Sequence, residues 1–269
     1  MKAVKWTTCL GLAIALGGLL ASSTAWAALT EVSSATGDRT VLNVTNDTVV
    51  WPLTGGSLVS SVLNGASFLS DKGFEVTVFR QGVGPVFDSL SCEDGNPAGC
   101  DFQIREQPAT WTGNFLNGEH ALENLTTTPL DDAIQIEFSE AVLGAGAQLQ
   151  LVASGPFVGR VRVYSTPFID GSAGLLGEFS LDGLSCNSNA VPNGAPCPQG
   201  SAIFMGFSDT VAEIRRIEFN VLASGAEAQF GINQLDIGVR TTPVPEPGTF
   251  LLLTAGGLAL AYGRRRFSR

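Results

Sequence analysis

The chain has 269 residues, with 15 Lys and Arg against 25 Asp and Glu, one histidine and a formal charge of −10. So acidic a chain is a poor partner for nucleic acid, and a single histidine leaves little scope for histidine-based metal or acid–base chemistry. Its length is enough to bury a core of its own without a structural metal.

At the N-terminus, Lys2 and Lys5 precede an apolar run from Cys9 to Leu20, and Ala25, Trp26 and Ala27 supply a small-x-small cleavage sequence. These parts predict a secretory signal peptide over residues 1–27, removed by signal peptidase so that the mature chain starts at Ala28. Two cations lie in this leader and four more, with Glu246, in the C-terminal tail, which leaves nine cations against twenty-four acids, about −15 for the mature body. That balance favours solubility, or attraction for cations, over an anionic partner.

Residues 28–242 show frequent alternation of period two and little helical periodicity. Phe74, Val76 and Val78 alternate with Glu75 and Thr77; Ile134, Ile136 and Phe138 alternate with Gln135 and Glu137. Val161 and Val163 sit between Arg160, Arg162 and Tyr164, and Ile217, Phe219 and Val221 alternate with Glu218 and Asn220. Each segment offers one apolar face, as an antiparallel strand half exposed to water requires. With short Asp-Gly turns between strands and no intervening helices, the expected fold is an all-β antiparallel sandwich of jelly-roll type. Residues 28–109 are less regular, and either add strands to the same sandwich or lead into it.

After loss of Cys9 the cysteines are Cys92, Cys100, Cys186 and Cys197, which allow three connectivities. Local pairing of Cys92 with Cys100 and of Cys186 with Cys197 is the economical choice, because each pair brackets a Gly, Asn and Pro segment. Closing such loops stabilises by about 2.6 and 2.8 kcal/mol in the chain-entropy model. A zinc site is disfavoured by the absence of C-x-x-C spacing. Calcium is the better-suited metal, with oxygen ligands from Glu93, Asp94, Asn96 and Asp101 in the first of these loops, although a solvated acidic loop has the same composition.

His120 is expected as a solvated surface residue, and no G-x-S-x-G, H-E-x-x-H or phosphate loop is present. Glu137, Glu140, Asp131 and Asp132 could line a hydrolytic cleft with paired carboxylates, but on so acidic a chain they read as the polar faces of strands and turns. The expectation is a non-enzymatic protein. Trp51, Trp111, Tyr164 and Phe157 could stack on sugar rings if exposed, but buried aromatics are commoner, and a Trp beside Pro52 or within Thr110 to Gly113 reads as half core. The sequons at Asn43, Asn46 and Asn124 are expected to be chance.

The last segment, VPEPGTFLLLTAGGLALAYGRRRFSR, joins a proline cluster, an uncharged stretch over residues 250–262 and a basic end. Pro243, Pro245 and Pro247 keep the approach extended and accessible. Thirteen apolar residues reach about 20 Å as a helix, short of a hydrocarbon core of about 30 Å, so the segment suits transient better than permanent anchoring. The Arg run would hold the C-terminus in the cytoplasm and the body across the membrane.

Val244, Pro245, Glu246 and Pro247, the short apolar stretch and Arg264, Arg265 and Arg266 resemble, in that order, the PEP-CTERM sorting signal of exported bacterial proteins. The resemblance covers residues 243–269 and implies processing by an exosortase, with the protein delivered to the cell surface or the extracellular matrix. A second resemblance lies in the regular half, through FLNGEHALEN, IEFSEAVLGAGAQLQ, FVGRVRVYS and FGINQLDIG. These segments are similar to the β-sandwich ectodomains that precede such tails, which are related in outline to jelly-roll carbohydrate-binding modules. At Phe230 to Leu235 those relatives more often carry an Asp among the polar positions. The implied role is binding or structural, with extracellular polysaccharide, calcium-dependent or not, as the alternative ligand.

Overall fold

The computed structural model describes residues 28–53, 58–80, 102–107, 113–125, 133–167, 174–186, 202–211, 213–223 and 226–240. Its strands begin with β1 (Thr30–Ser34), β2 (Asp47–Val49), β3 (Val59–Val62), β4 (Ala66–Leu69) and β5 (Glu75–Arg80). They continue with β6 (Phe102–Glu106), β7 (His120–Asn124), β8 (Ile134–Val142), β9 (Gly144–Leu151) and β10 (Gly155–Tyr164). The last are β11 (Leu175–Ser185), β12 (Ile203–Ser208), β13 (Ile214–Ala223), β14 (Ala226–Glu227) and β15 (Phe230–Gly238). A single 3-10 turn, Arg39–Val41, is the one helical element among the described residues, none of which forms a helix long enough to cross a membrane.

Two antiparallel sheets face one another, as the alternation predicts. The first runs β1-β12-β9-β15-β7-β6-β3, with β2 also paired to β15; the second runs β11-β10-β13-β8-β5-β4, with β14 on β13. The less regular first third contributes strands to both sheets: β1 pairs with β12, β2 with β15 and β5 with β8. At one edge the chain steps from β3 in the first sheet to β4 in the second through Asn64-Gly65, where Gly65 takes φ +81°, a conformation that favours glycine. The inner faces supply the core. Ala147, Leu149, Met205, Phe207, Ile232 and Leu235 of the first sheet meet Val76, Val78, Ile136, Phe138, Val161 and Phe219 of the second.

The outer face of the second sheet departs from the expected half-solvated strand. Gln135, Glu218, Asn220 and Arg216 are buried along with their apolar neighbours. The register explains it: Arg162 of β10 lies opposite both Glu178 of β11 and Glu218 of β13, and Glu218 lies opposite Gln135 of β8. Arg162 bonds Glu178 at 2.6 Å and Glu218 at 3.0 Å, while Gln135 donates to Glu218 at 3.0 Å. Tyr164 also donates to Glu218, and the Arg216 guanidinium lies 3.9 Å over the Tyr164 ring. Long side chains from neighbouring strands thus cover the central ones. Burial pulls the Arg162 guanidinium down, but its bond to Glu178 and the charge of Glu218 outweigh that and raise it. Burial, and then the charge of Glu218, push the Tyr164 phenol up.

A strap formed by the chain after β1 returns across the outer face of the first sheet. Strand glycines make room: a Cβ on Gly144 would lie 2.5 Å from Val44 Cγ2, and one on Gly238 2.9 Å from the same atom. Gln148 Nε2 donates to the Gly37 carbonyl at 2.7 Å, and Arg39 grips the buried Asp236 with two nitrogens, Nε at 2.6 Å from Oδ2. Removing one member of such a pair leaves the other charge desolvated. Arg39→Ala is expected to lower unfolding stability by about 3 kcal/mol, and adding Asp236→Asn to recover part of the loss. Urea midpoints of the two variants measure this; equal midpoints for wild type and Arg39→Ala would show that the strap does not need the pair.

Candidate functional site

Where the first sheet meets the turn between β4 and β5, a cleft of about 840 Å³ opens at one end of the sandwich. Five separated segments build it. Asp47, at the start of β2, is buried and accepts from Ser70 Oγ and from the backbone N–H of Lys72 at 3.1 Å and of Thr48 at 2.9 Å. The turn is closed further by Ser70 N to Phe74 O at 2.8 Å and Gly73 N to Ser70 O at 2.9 Å, with Gly73 at φ +81°. This turn presents Lys72, Phe74 and Glu75 to the cleft. On the opposite wall, the Asn46 side chain clamps Val239 through both backbone groups, at 2.8 and 2.9 Å, and so fixes the position of Arg240. Ser139 and Glu140 of β8 and Arg215 of β13 complete the lining, with Arg215 donating to the Ser139 carbonyl at 2.9 Å.

The cleft therefore combines a half-buried aromatic ring, Phe74, with charges of both signs and one hydroxyl. Phe74 is steadied by Phe138, at 6.3 Å between ring centroids. A ring in a polar cleft can pack on a sugar face while charged groups bond its hydroxyls. None of the aromatics singled out from the sequence does this among the described residues. Trp51 is wholly buried, donates to the Asn233 carbonyl at 2.6 Å and packs edge-on against Phe68. Phe157 lies in the core over Gly183, and Tyr164 in the polar ladder. Trp111 falls outside the described residues.

His120 is also placed differently from its expected solvated position. It opens β7, is partly buried and bonds the Trp51 carbonyl through Nδ1 at 2.7 Å, a structural tie. Glu137 lies opposite Arg216 and Thr77 in the outer-face register, whereas Glu140 lines the cleft, so the two face different regions. Among the described residues no group of three or more His, Cys, Asp or Glu is arranged to hold a metal. Of the sequons, Asn124 is buried and Asn46 is held by Val239, leaving Asn43 exposed. Cys186 follows β11, its N–H donating to Asn114 Oδ1 at 3.1 Å. Cys92, Cys100 and Cys197, the calcium candidates Asp94, Asn96 and Asp101, the carboxylates Asp131 and Asp132, the cleavage residues Ala25 and Ala27 and the whole tail from residue 241 lie outside the described residues. Sequence reasoning missed the cleft's Lys72, Arg215 and Arg240; the one local hint is that Arg240 is the last cation before the proline cluster.

Comparison with known proteins places the tail. Residues 243–266 match the model of the PEP-CTERM protein-sorting motif. The chain carries this motif, which implies an exported protein processed by an exosortase. No curated protein matches the chain. Among solved structures, the K1 cleaved adhesin domain of Lys-gingipain from Porphyromonas gingivalis W83 aligns over 70% of this chain and 100% of its own, at 11% identity and a TM-score of 0.32.

A second chemically distinctive group lies on the outer face of the first sheet. Glu123 of β7 is buried between Gly231 and Gln103 in the register, with Arg105 Nε 2.9 Å from its Oε2. Burial pushes its carboxyl from the usual 4.5 up to about 7, against the opposing charge of Arg105. The folded state keeps a proton that the unfolded chain has released, so this contribution to stability is intact below about pH 4.5 and lost as pH rises through about 7. Glu123→Gln is expected to match wild type near the lower pH and to exceed it above the upper one, by on the order of 3 kcal/mol. Urea unfolding across that range is the check; a variant less stable than wild type at alkaline pH would mean the Arg105 pair outweighs burial.

Proposed function

We propose that the protein is an exported bacterial surface or extracellular-matrix protein, cut at its tail by an exosortase, that works by binding rather than catalysis. The observation that carries the reading is the sorting motif over residues 243–266, following directly on a folded all-β body. In this reading the leader is removed after Ala27, Val244 to Pro247 are recognised, the apolar stretch holds the substrate in the bilayer, and Arg264 to Arg266 set its orientation. The four remaining cysteines form local staples in the oxidising compartment.

The cleft supports extracellular polysaccharide as the ligand class. It sits at the end of the sandwich from which the chain leaves for the tail, and Arg240 on its wall is only a few residues from Val244. In this reading the ring that a sugar packs on is Phe74, which lines the cleft.

Mass spectrometry of the protein exported by its own host is expected to show an N-terminus at Ala28, a C-terminus at or near the proline cluster, and no free thiol. An intact Arg269 on the exported form would overturn exosortase processing. Replacing Pro245 and Pro247 by Ala is expected to leave the tail uncut and the protein in the membrane fraction.

A further inference from the structure

The mature body has nine cations, and their placement is uneven. Arg39, Arg105 and Arg162 are spent on the buried carboxylates Asp236, Glu123 and Glu218, Arg216 lies over the Tyr164 ring, and Arg80 and Arg160 have partners of their own. Three others, Lys72, Arg215 and Arg240, converge on the end cleft from three distant parts of the chain. There Lys72 and Arg215 donate to backbone carbonyls, of Asn46 and Ser139, and Arg240 is exposed with no hydrogen bond or ion pair to the described residues. On a body of about −15 the exposed Glu75 and Glu140, which share this lining with the buried Asp47, are unremarkable, whereas three cations free of carboxylate partners converge on the one cleft.

We propose that the cleft takes a saccharide bearing a carboxylate, a hexuronate residue of an extracellular polysaccharide. This rests on the polysaccharide-binding reading above and narrows it. The carboxylate would meet Arg240 and Arg215, whose planar donor forks match its two oxygens, with Lys72 as a further point charge. The ring would pack on Phe74, and Glu140 and Ser139 would accept or exchange hydrogen bonds with hydroxyls. The acidic surface around the cleft then works as a filter. Acids within the cleft, Glu75 and Glu140, repel a polyanion as well, so only an acid group that reaches Lys72, Arg215 and Arg240 is held, and specificity comes from repulsion as much as from attraction.

Calorimetric titration of the mature protein with trigalacturonate, maltotriose and the glucosamine trimer tests this. Trigalacturonate is expected to bind at least about tenfold more tightly than maltotriose, and the double variant Arg215→Ala/Arg240→Ala to lose about that factor. Glu140→Gln, which removes a negative charge and keeps hydrogen-bonding groups, is expected to strengthen binding about two- to threefold, a response that damaged folding would not give. Equal binding of maltotriose and trigalacturonate would overturn the anionic specificity and leave polysaccharide binding standing. Preference for the glucosamine trimer would assign the cleft to a cationic sugar instead. Binding of trigalacturonate unaffected by the double variant would place the site elsewhere, and no binding of any trimer would remove both readings.

Discussion

The carboxylate of Asp47 is the interaction on which the working end of the molecule depends. It belongs to β2, in the first sheet, yet its oxygens bond Ser70 and Lys72 in the turn joining two strands of the second. Beside it, the Asp71 N–H donates to the Thr48 carbonyl at 2.9 Å. One desolvated acid therefore locks the two layers together and sets the turn that carries Lys72, Phe74 and Glu75. A buried carboxylate is tolerable only when donors surround it, and here backbone N–H groups and a hydroxyl supply them.

The same arrangement of charge recurs through the body. Asp236, Glu123 and Glu218 are each desolvated and each answered by an arginine, so three of the nine body cations are committed to holding outer-face acids in place. Such pairs contribute more to fixing one arrangement of strands and strap than to net stability, because desolvation offsets much of their attraction. Lys72, Arg215 and Arg240, which are in no such pair, lie together in the end cleft.

The sequence shows the fold class plainly and the site hardly at all. Ile134, Ile136 and Phe138, or Val161 and Val163, announce an inward face because period two is a local property of the chain. The burial of Glu218 and Gln135 is not local: it arises from Arg162 and Tyr164, tens of residues away, and register across strands is invisible to composition. Trp51, beside Pro52, reads from sequence as a half-core residue or, if exposed, a sugar platform; the bond to the Asn233 carbonyl and the packing on Phe68 hold it wholly inside. The cleft is illegible for the same reason, since Asp47, Lys72, Glu140, Arg215 and Arg240 become neighbours only when two sheets close. The tail is the opposite case. Its message is carried by contiguous residues, 243–266, so it is legible without any knowledge of the fold.

β15 occupies the middle of the first sheet, paired with β2, β7 and β9, although it is the last strand in chain order among the described residues. Neither the strap, which needs Asp236, nor the Asn46 clamp, which needs Val239, can form until that strand has arrived. Completion of the native state thus waits on the final stretch of polypeptide ahead of the tail, and the many long-range pairings make it slow. For an exported chain, which the sorting motif implies, this order leaves the first sheet open in its middle until the stretch next to the tail is in place.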